Sequence, residues 1–344
     1  MNLQAILGLE LPLIQAPMAG AQGSAMAIAV SNAGALGSLP CAMLDIPAMR
    51  QELAAIRSQT RRPFNVNFFC HKPPTPDERR EAAWRHALAP YFAEFGIEEA
   101  TLPAGPLRSP FGREAAMLLR EFRPAMVSFH FGLPDPDLVQ QLRNWDVKVV
   151  SSATTLQEGL WLETHGVDAV IAQGLEAGGH RGMFLNEDLN DQLGTMALVP
   201  QLVHALKVPV IAAGGISDRA GVVAAMRLGA SLAQVGTSYL LCPEARISVP
   251  HMGALKSEAT QHTALTNLFT GRPARGIVNR LMRELGSMSA LAPQFPLAAG
   301  ALAPLRAEAE RRGSGDFSPL SCGQNATGCK AVPAGQLTKM IAGT

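Results

Sequence analysis

The sequence predicts a (β/α)8 barrel with a smaller helical lid after the eighth strand. Three observations lead there. Eight short apolar runs alternate with longer, mostly amphipathic segments between residues 13 and 235, the pattern of parallel strands joined by helical crossovers. Polar and glycine residues gather where those runs end. The first run leads into Gln15-Ala16-Pro17-Met18-Ala19-Gly20, not the G-x-G-x-x-G turn that a doubly wound dinucleotide sheet carries at that place.

Taken in order, Leu13–Ala16 is the first strand, and Ser24–Asn32 reads as a helix with Ser24 as its N-cap. The run at 34–39 is the second strand, followed by a helix over about 45–58. The third, at 63–69, alternates asparagine with apolar residues, so Asn65 and Asn67 share one face. A proline-rich excursion at 70–77 cannot be strand interior. It opens a long crossover with helices over 77–95 and 112–122, placed as a rim above the barrel. The fourth to eighth strands are 125–131, 147–152, 168–172, 208–213 and 232–235, with helices over about 155–165 and 218–228 between them. Past Glu244 the pattern changes. Residues 245–300 show no clear strand, 301–312 is strongly helical, 313–328 is loop-like, and 332–342 forms a last helix returning to the barrel. The expected organisation is a barrel over 1–244, completed by a helix at about 330–344, with a helical lid over 245–329.

The composition narrows the function. In 344 residues, 47% are hydrophobic and 17% charged, and Lys+Arg 29 against Asp+Glu 28 leaves a net charge of +1. That balance supplies no footprint for nucleic acid or an anionic membrane, so function belongs in a pocket that takes a small molecule. The first residues lack a basic and apolar leader, and no apolar run approaches the ~18 residues of a membrane span. A cytoplasmic protein is expected. The five cysteines are odd in number and scattered, as reduced thiols are. Cys322 and Cys329 have poor zinc spacing, and no metal site is expected.

Active sites of such barrels lie at the C-terminal ends of the strands. Here those ends carry Gln15, Pro17 and Met18; Asn65 and Asn67; His130; Ser152; Gln173 to Arg181; Gly214 and Gly215; and Gln234 to Thr237. The set holds no paired carboxylates, metal cluster or Ser-His-Asp arrangement. Loops after the seventh and eighth strands commonly bind phosphate through backbone N–H groups. Gly214-Gly215 and Gly236-Thr237 supply such groups without a lysine. A phosphate-bearing cofactor would then lie across the mouth, its ring toward Pro17-Met18, Asn67 and Gln173. Amide side chains suit a ring with donor and acceptor edges, as in a flavin. The stretch Gln173-Gly174-Leu175-Glu176-Ala177-Gly178-Gly179-His180-Arg181-Gly182 adds an imidazole among glycines at the sixth strand end.

Six stretches in this order resemble nitronate monooxygenases, FMN enzymes formerly called 2-nitropropane dioxygenases. They are Gln15–Gly20, Phe64–Phe69, Ser128–Gly132, Gly174–Gly182, Pro209–Ile216 and Gln234–Thr237, with Thr270–Gly276 continuing the match into the lid. The resemblance implies a TIM barrel with non-covalent FMN. It places Asn67, Gln173, Gly178, Gly214, Gly215, Gln234, Val235, Gly236 and Thr237 on the cofactor, and Pro17 and Met18 against the isoalloxazine. It makes His180 the base that takes the α-proton of a neutral nitroalkane, and puts His130 and Phe295 in the substrate pocket. The implied reaction is oxidation of nitronates by O2 to a carbonyl compound and nitrite.

One departure bears on the substrate. Some family members line the lid side with tyrosines and a lysine, whereas 294–300 here offers phenylalanine and alanine. Arg181, Arg272 and Arg275 are the candidates to meet an anionic substrate instead. Two alternatives remain at this stage: an NAD(P)H-dependent quinone or enoyl-thioester reductase on the same barrel, and a non-catalytic flavin- or phosphate-binding barrel. Glu176 is expected to orient its turn or a neighbour rather than react. His71, His86, His165, His204, His251 and His262 are expected to be surface or helix residues.

Overall fold

In the computed structural model, which describes residues 2–98 and 109–344, eight parallel strands form one barrel sheet. They are β1 (Leu13–Gln15), β2 (Gly37–Pro40), β3 (Phe64–Phe69), β4 (Met126–His130), β5 (Lys148–Ala153), β6 (Ala169–Gln173), β8 (Val210–Ala213) and β9 (Leu232–Val235). A two-residue strand, β7 (Gly179–His180), falls between the sixth and seventh barrel strands and stands outside the barrel sheet. The pairing runs β1-β9-β8-β6-β5-β4-β3-β2, and a parallel bridge from Ile14 to Leu36 closes the ring. Residues 99–108, within the long third crossover, lie outside the described set.

Alternation along each strand divides the barrel core into two layers. Val149, Val170, Val210 and Ala233 face the surrounding helices. Ile14, Val150, Ile171, Ile211 and Leu232 turn inward and meet Leu3, Leu7 and Leu9 from the N-terminal segment, where a short helix, α1 (Leu3–Ile6), plugs the barrel. Above this apolar layer the interior becomes polar. Asn65 Nδ2 donates to the Ser38 and Ser128 hydroxyls at 3.0 and 2.9 Å, and Asn67 Nδ2 donates to the Ser128 carbonyl and hydroxyl, both at 3.0 Å. The two asparagines do share one face.

The helices form where cap and stripe agree. In α3 (Ile46–Gln59), Asp45 accepts from the Ala48 N–H at 2.8 Å, Pro47 stands in the first turn, and Met49, Leu53 and Ile56 bury one face. The first crossover helix, α2 (Ser24–Asn32), is capped differently from expectation. Gly23 is its N-cap, and Ser24 is already helical, its N–H held at 2.6 Å by the Glu52 carboxylate from α3. A tertiary acceptor replaces the local hydroxyl.

After β9 come α10 (Val249–Leu255), α11 (Arg280–Leu285) and α12 (Ala298–Arg311). The expectation of no strand in 245–300 fails. Thr263–Thr266 (β10) and Ala274–Ile277 (β11) pair antiparallel, and β11 pairs in turn with β7. A lone hairpin here would be marginal; its third strand comes from the barrel's own loop. The last helix, α13 (Ala334–Ala342), sets Ala334, Leu337 and Ile341 into the barrel core, and Tyr239 Oη lies 2.9 Å from Thr338 Oγ1. No helix among the described residues is long and apolar enough to cross a membrane.

Candidate active site

A cavity of about 370 Å3 opens at the C-terminal ends of the strands, between the barrel and β10–β11. Pro17, Met18, Asn67, His130, Gln173, Gly178, His180, Gly214, Gly215, Gln234, Gly236 and Thr237 all border it. Two residues from the same expectation do not. Val235 is fully buried in the core between strands and helices, because its neighbours Gln234 and Gly236 take the alternate, inward positions. Phe295 is 5% exposed and packs with Phe69 and Phe131, its ring 5.4 Å from that of His180. It stands beside the histidine rather than on the wall.

The cradle after β8 is built from backbone. Gly214 and Gly215 have φ of +116° and +71°, and a Cβ on Gly214 would lie 2.9 Å from Thr195 Oγ1, so glycine is required there. Among the described residues, the Gly215 and Ile216 N–H groups find no acceptor within the chain. Glu176 orients its neighbours, as expected. Its carboxylate accepts from the Thr195 N–H at 2.9 Å and the Thr195 hydroxyl at 2.8 Å, at the start of α8 (Thr195–Ala205), where a negative charge is favoured.

The loop at 321–329 is a wall that the sequence did not announce. The Gly323 N–H donates to Thr237 Oγ1, the Gln324 N–H to the Glu176 carbonyl, and Asn325 Nδ2 to the Gly215 carbonyl, each at 2.9 Å. A Cβ on Gly178 would lie 2.6 Å from the Gly323 nitrogen. That close approach is why the turn holds glycine there.

His180 sits on β7, opposite Ala274 of β11. Its Nε2 lies 2.9 Å from Thr270 Oγ1, and its ring stands edge-on to Phe69, Phe131 and Phe295. Gln173, expected on the cofactor, spends its amide on this loop. Its Nε2 donates to the His180 carbonyl at 2.9 Å, and its Oε1 accepts from the Gly182 N–H at 2.7 Å. His130 Nε2 lies 3.1 Å from the same carbonyl oxygen, and His130 Nδ1 lies 3.1 Å from Ser152 Oγ. A carbonyl only accepts, so Nε2 carries the proton and Nδ1 takes the serine hydroxyl's.

The three arginines proposed for an anionic substrate are already engaged. Arg181 is fully buried and donates to the Gln173 and Gly174 carbonyls at 2.8 and 2.6 Å and to Gln192 Oε1 at 3.0 Å. Burial, with Arg275 nearby, pulls its pKa down to about 10. Arg272 lies 4.3 Å over the Phe131 ring and donates to the Met183 carbonyl at 2.9 Å. Arg275 borders the cavity but donates to the Leu175 carbonyl at 2.9 Å and to Thr263 Oγ1 at 3.2 Å. Replacing Arg181 by methionine strands three acceptors in the interior. The expected cost is on the order of 3 kcal/mol or more, read as a lower urea midpoint.

Of the six histidines expected as surface or helix residues, His71 is neither, and His251 is a helix residue but buried. His71 packs 4.9 Å from the Phe295 ring, and His251 lies in α10 with Nε2 3.1 Å from the Ser321 carbonyl. The other four, His86, His165, His204 and His262, are exposed. Burial pushes His130 and His251 from 6.5 down to about 4. The unfolded chain therefore binds more protons than the native one between these values. Stability is full above about pH 6.5 and falls toward pH 4, by up to ~1.4 kcal/mol per histidine per pH unit. Urea midpoints at about pH 7.5 and pH 5 check this.

Fold and site together define a barrel enzyme with a backbone cradle and a histidine facing one cavity. The nitronate monooxygenase family profile matches residues 1–343. The chain is 42% identical over 339 residues to a nitronate monooxygenase of Pseudomonas aeruginosa, covering 98% of this chain and 96% of that one. It is 41% identical over 342 residues to that of Paraburkholderia phytofirmans, covering 98% and 92%. A nitroalkane oxidase from Streptomyces ansochromogenes superposes with a TM-score of 0.88 at 36% identity, over 100% of this chain and 97% of that one. The chain belongs to the nitronate monooxygenase family and is an oxidoreductase. That membership favours neither a reductase nor a non-catalytic barrel.

Proposed function

We propose that this enzyme oxidises alkyl nitronates with O2 to a carbonyl compound and nitrite, and accepts neutral nitroalkanes once His180 has removed the α-proton. The observation that carries the reading is the single cavity shared by His180 and the glycine cradle. The barrel, 1–244 with the closing helix at 330–344, holds the cofactor in this reading, and 245–329 covers the substrate.

The cofactor fitted to this site is FMN. The Gly215 and Ile216 N–H groups, without an acceptor among the described residues, suit a phosphate. Gln234 Oε1 is buried without a partner among the described residues, an acceptor suited to a ring N–H. Bound there, the flavin supplies the electron acceptor and the place where oxygen is reduced. The chain supplies position and one base. Pro17 and Met18 border the ring's place, and Asn67 is fixed by Ser128. When His180 takes the proton, both ring nitrogens become donors, and Thr270 Oγ1 is in place to accept from Nε2–H. Purified protein mixed with propyl-2-nitronate in air tests the reading: steady nitrite release is expected, and its absence from flavin-loaded protein contradicts it.

A further inference from the structure

We propose that His130 is a positioning residue for proton removal, acting by holding the peptide carbonyl of His180. The proposal rests on His180 being the base. His180 follows two glycines, and Gly179 has a φ of +74°, so local sequence does little to fix its backbone. What fixes it comes from the barrel. His130, Ser152 and Gln173 stand at or next to the C-terminal ends of three successive barrel strands. His130 and Gln173 converge on one oxygen, and Ser152 backs His130. Gln173 Nε2 and His130 Nε2 donate to the His180 carbonyl at 2.9 and 3.1 Å, one donor for each lone pair.

The His180 carbonyl, which only accepts, places the His130 proton on Nε2. The Ser152 hydroxyl, 3.1 Å from Nδ1, donates to the bare nitrogen and holds the ring from its other side. Burial keeps the ring neutral, with its pKa pushed down to about 4, so this arrangement holds at ordinary working pH. A Cβ on Gly182 would come within 2.9 Å of both His130 Cε1 and Ser152 Cβ. The returning chain therefore lies directly on this pair. With the carbonyl tied on one side and β11 on the other, the His180 ring is delivered to Thr270.

The test exploits the two substrate forms. Only the neutral nitroalkane needs a proton removed; a preformed nitronate does not. His130→Ala is expected to lower kcat/KM on nitroethane ~10- to 10²-fold more than kcat/KM on ethylnitronate, the scale of a misplaced reacting group, with FMN content within about twofold of the parent's. His130→Gln, which restores an amide donor, is expected to recover most of the loss. Ser152→Ala leaves both imidazoles in place and is expected to give a smaller loss on the nitroalkane alone. Equal losses on both substrates, or undiminished nitroethane activity in His130→Ala and Ser152→Ala, overturn the proposal. His180→Asn, run alongside, separates the two failures: if it affects both substrates equally, the base assignment falls instead.

Discussion

His180→Asn is expected to retain FMN and oxidise preformed nitronate at close to the parent rate while losing ~10²–10⁴-fold on neutral nitroalkane. The asymmetry follows from the site. The nitronate arrives already deprotonated and electron-rich, so the imidazole contributes nothing chemical to its oxidation. The nitroalkane must surrender an α-proton to a group that both accepts it and is held in place. His180 is held from both sides, by β11 through its backbone and by Thr270 through Nε2. Asparagine keeps a polar side chain of similar reach but cannot act as a base near neutral pH. Steady-state nitrite release from both substrates measures the split.

The second large effect lies in the cradle. Gly214→Val places a β-branched residue at a φ of +116° and a Cβ 2.9 Å from Thr195 Oγ1. Neither is tolerable, so the turn must move. Thr195 Oγ1 also lies 2.9 Å from the Gly214 carbonyl oxygen, and Thr195 carries Glu176 on its N–H, so the shift spreads into the 174–182 turn. In the proposed mode of FMN binding, two N–H donors to its phosphate are displaced. At ~1.5–3 kcal/mol for each charge-assisted hydrogen bond, FMN affinity falls by ~10²–10⁴-fold. Protein purified without added flavin is expected to be colourless, with far-ultraviolet circular dichroism like the parent's.

The barrel was legible because its strands are buried on both faces and so appear as continuous apolar runs. The glycine turns after β8 and β9 were legible because barrels place phosphate sites there. What the sequence concealed depends on partners distant in the chain. β11 carries arginine and glycine, Ala274-Arg275-Gly276-Ile277, and becomes a strand by pairing with Gly179–His180. Arg181 looks like an exposed cation by type, yet three acceptors at the barrel mouth bury it completely. The 321–329 loop reaches the cradle through the Gly323 and Gln324 N–H groups as well as through Asn325 and Cys329, at partners far away in the chain that no local pattern announces. Gln173 has the right chemistry for a ring edge, but the returning peptide at 180–182 claims both ends of its amide.

In the proposed reaction this barrel takes electrons from a nitronate and passes them to oxygen. Anaerobic mixing of the flavin-loaded enzyme with propyl-2-nitronate, followed in the visible spectrum, separates this from a reductase. The expected result is loss of the oxidised-flavin absorbance with nitronate, its return on admitting air with nitrite released, and little change with NADH or NADPH. Rapid bleaching by a nicotinamide with none by nitronate would contradict it.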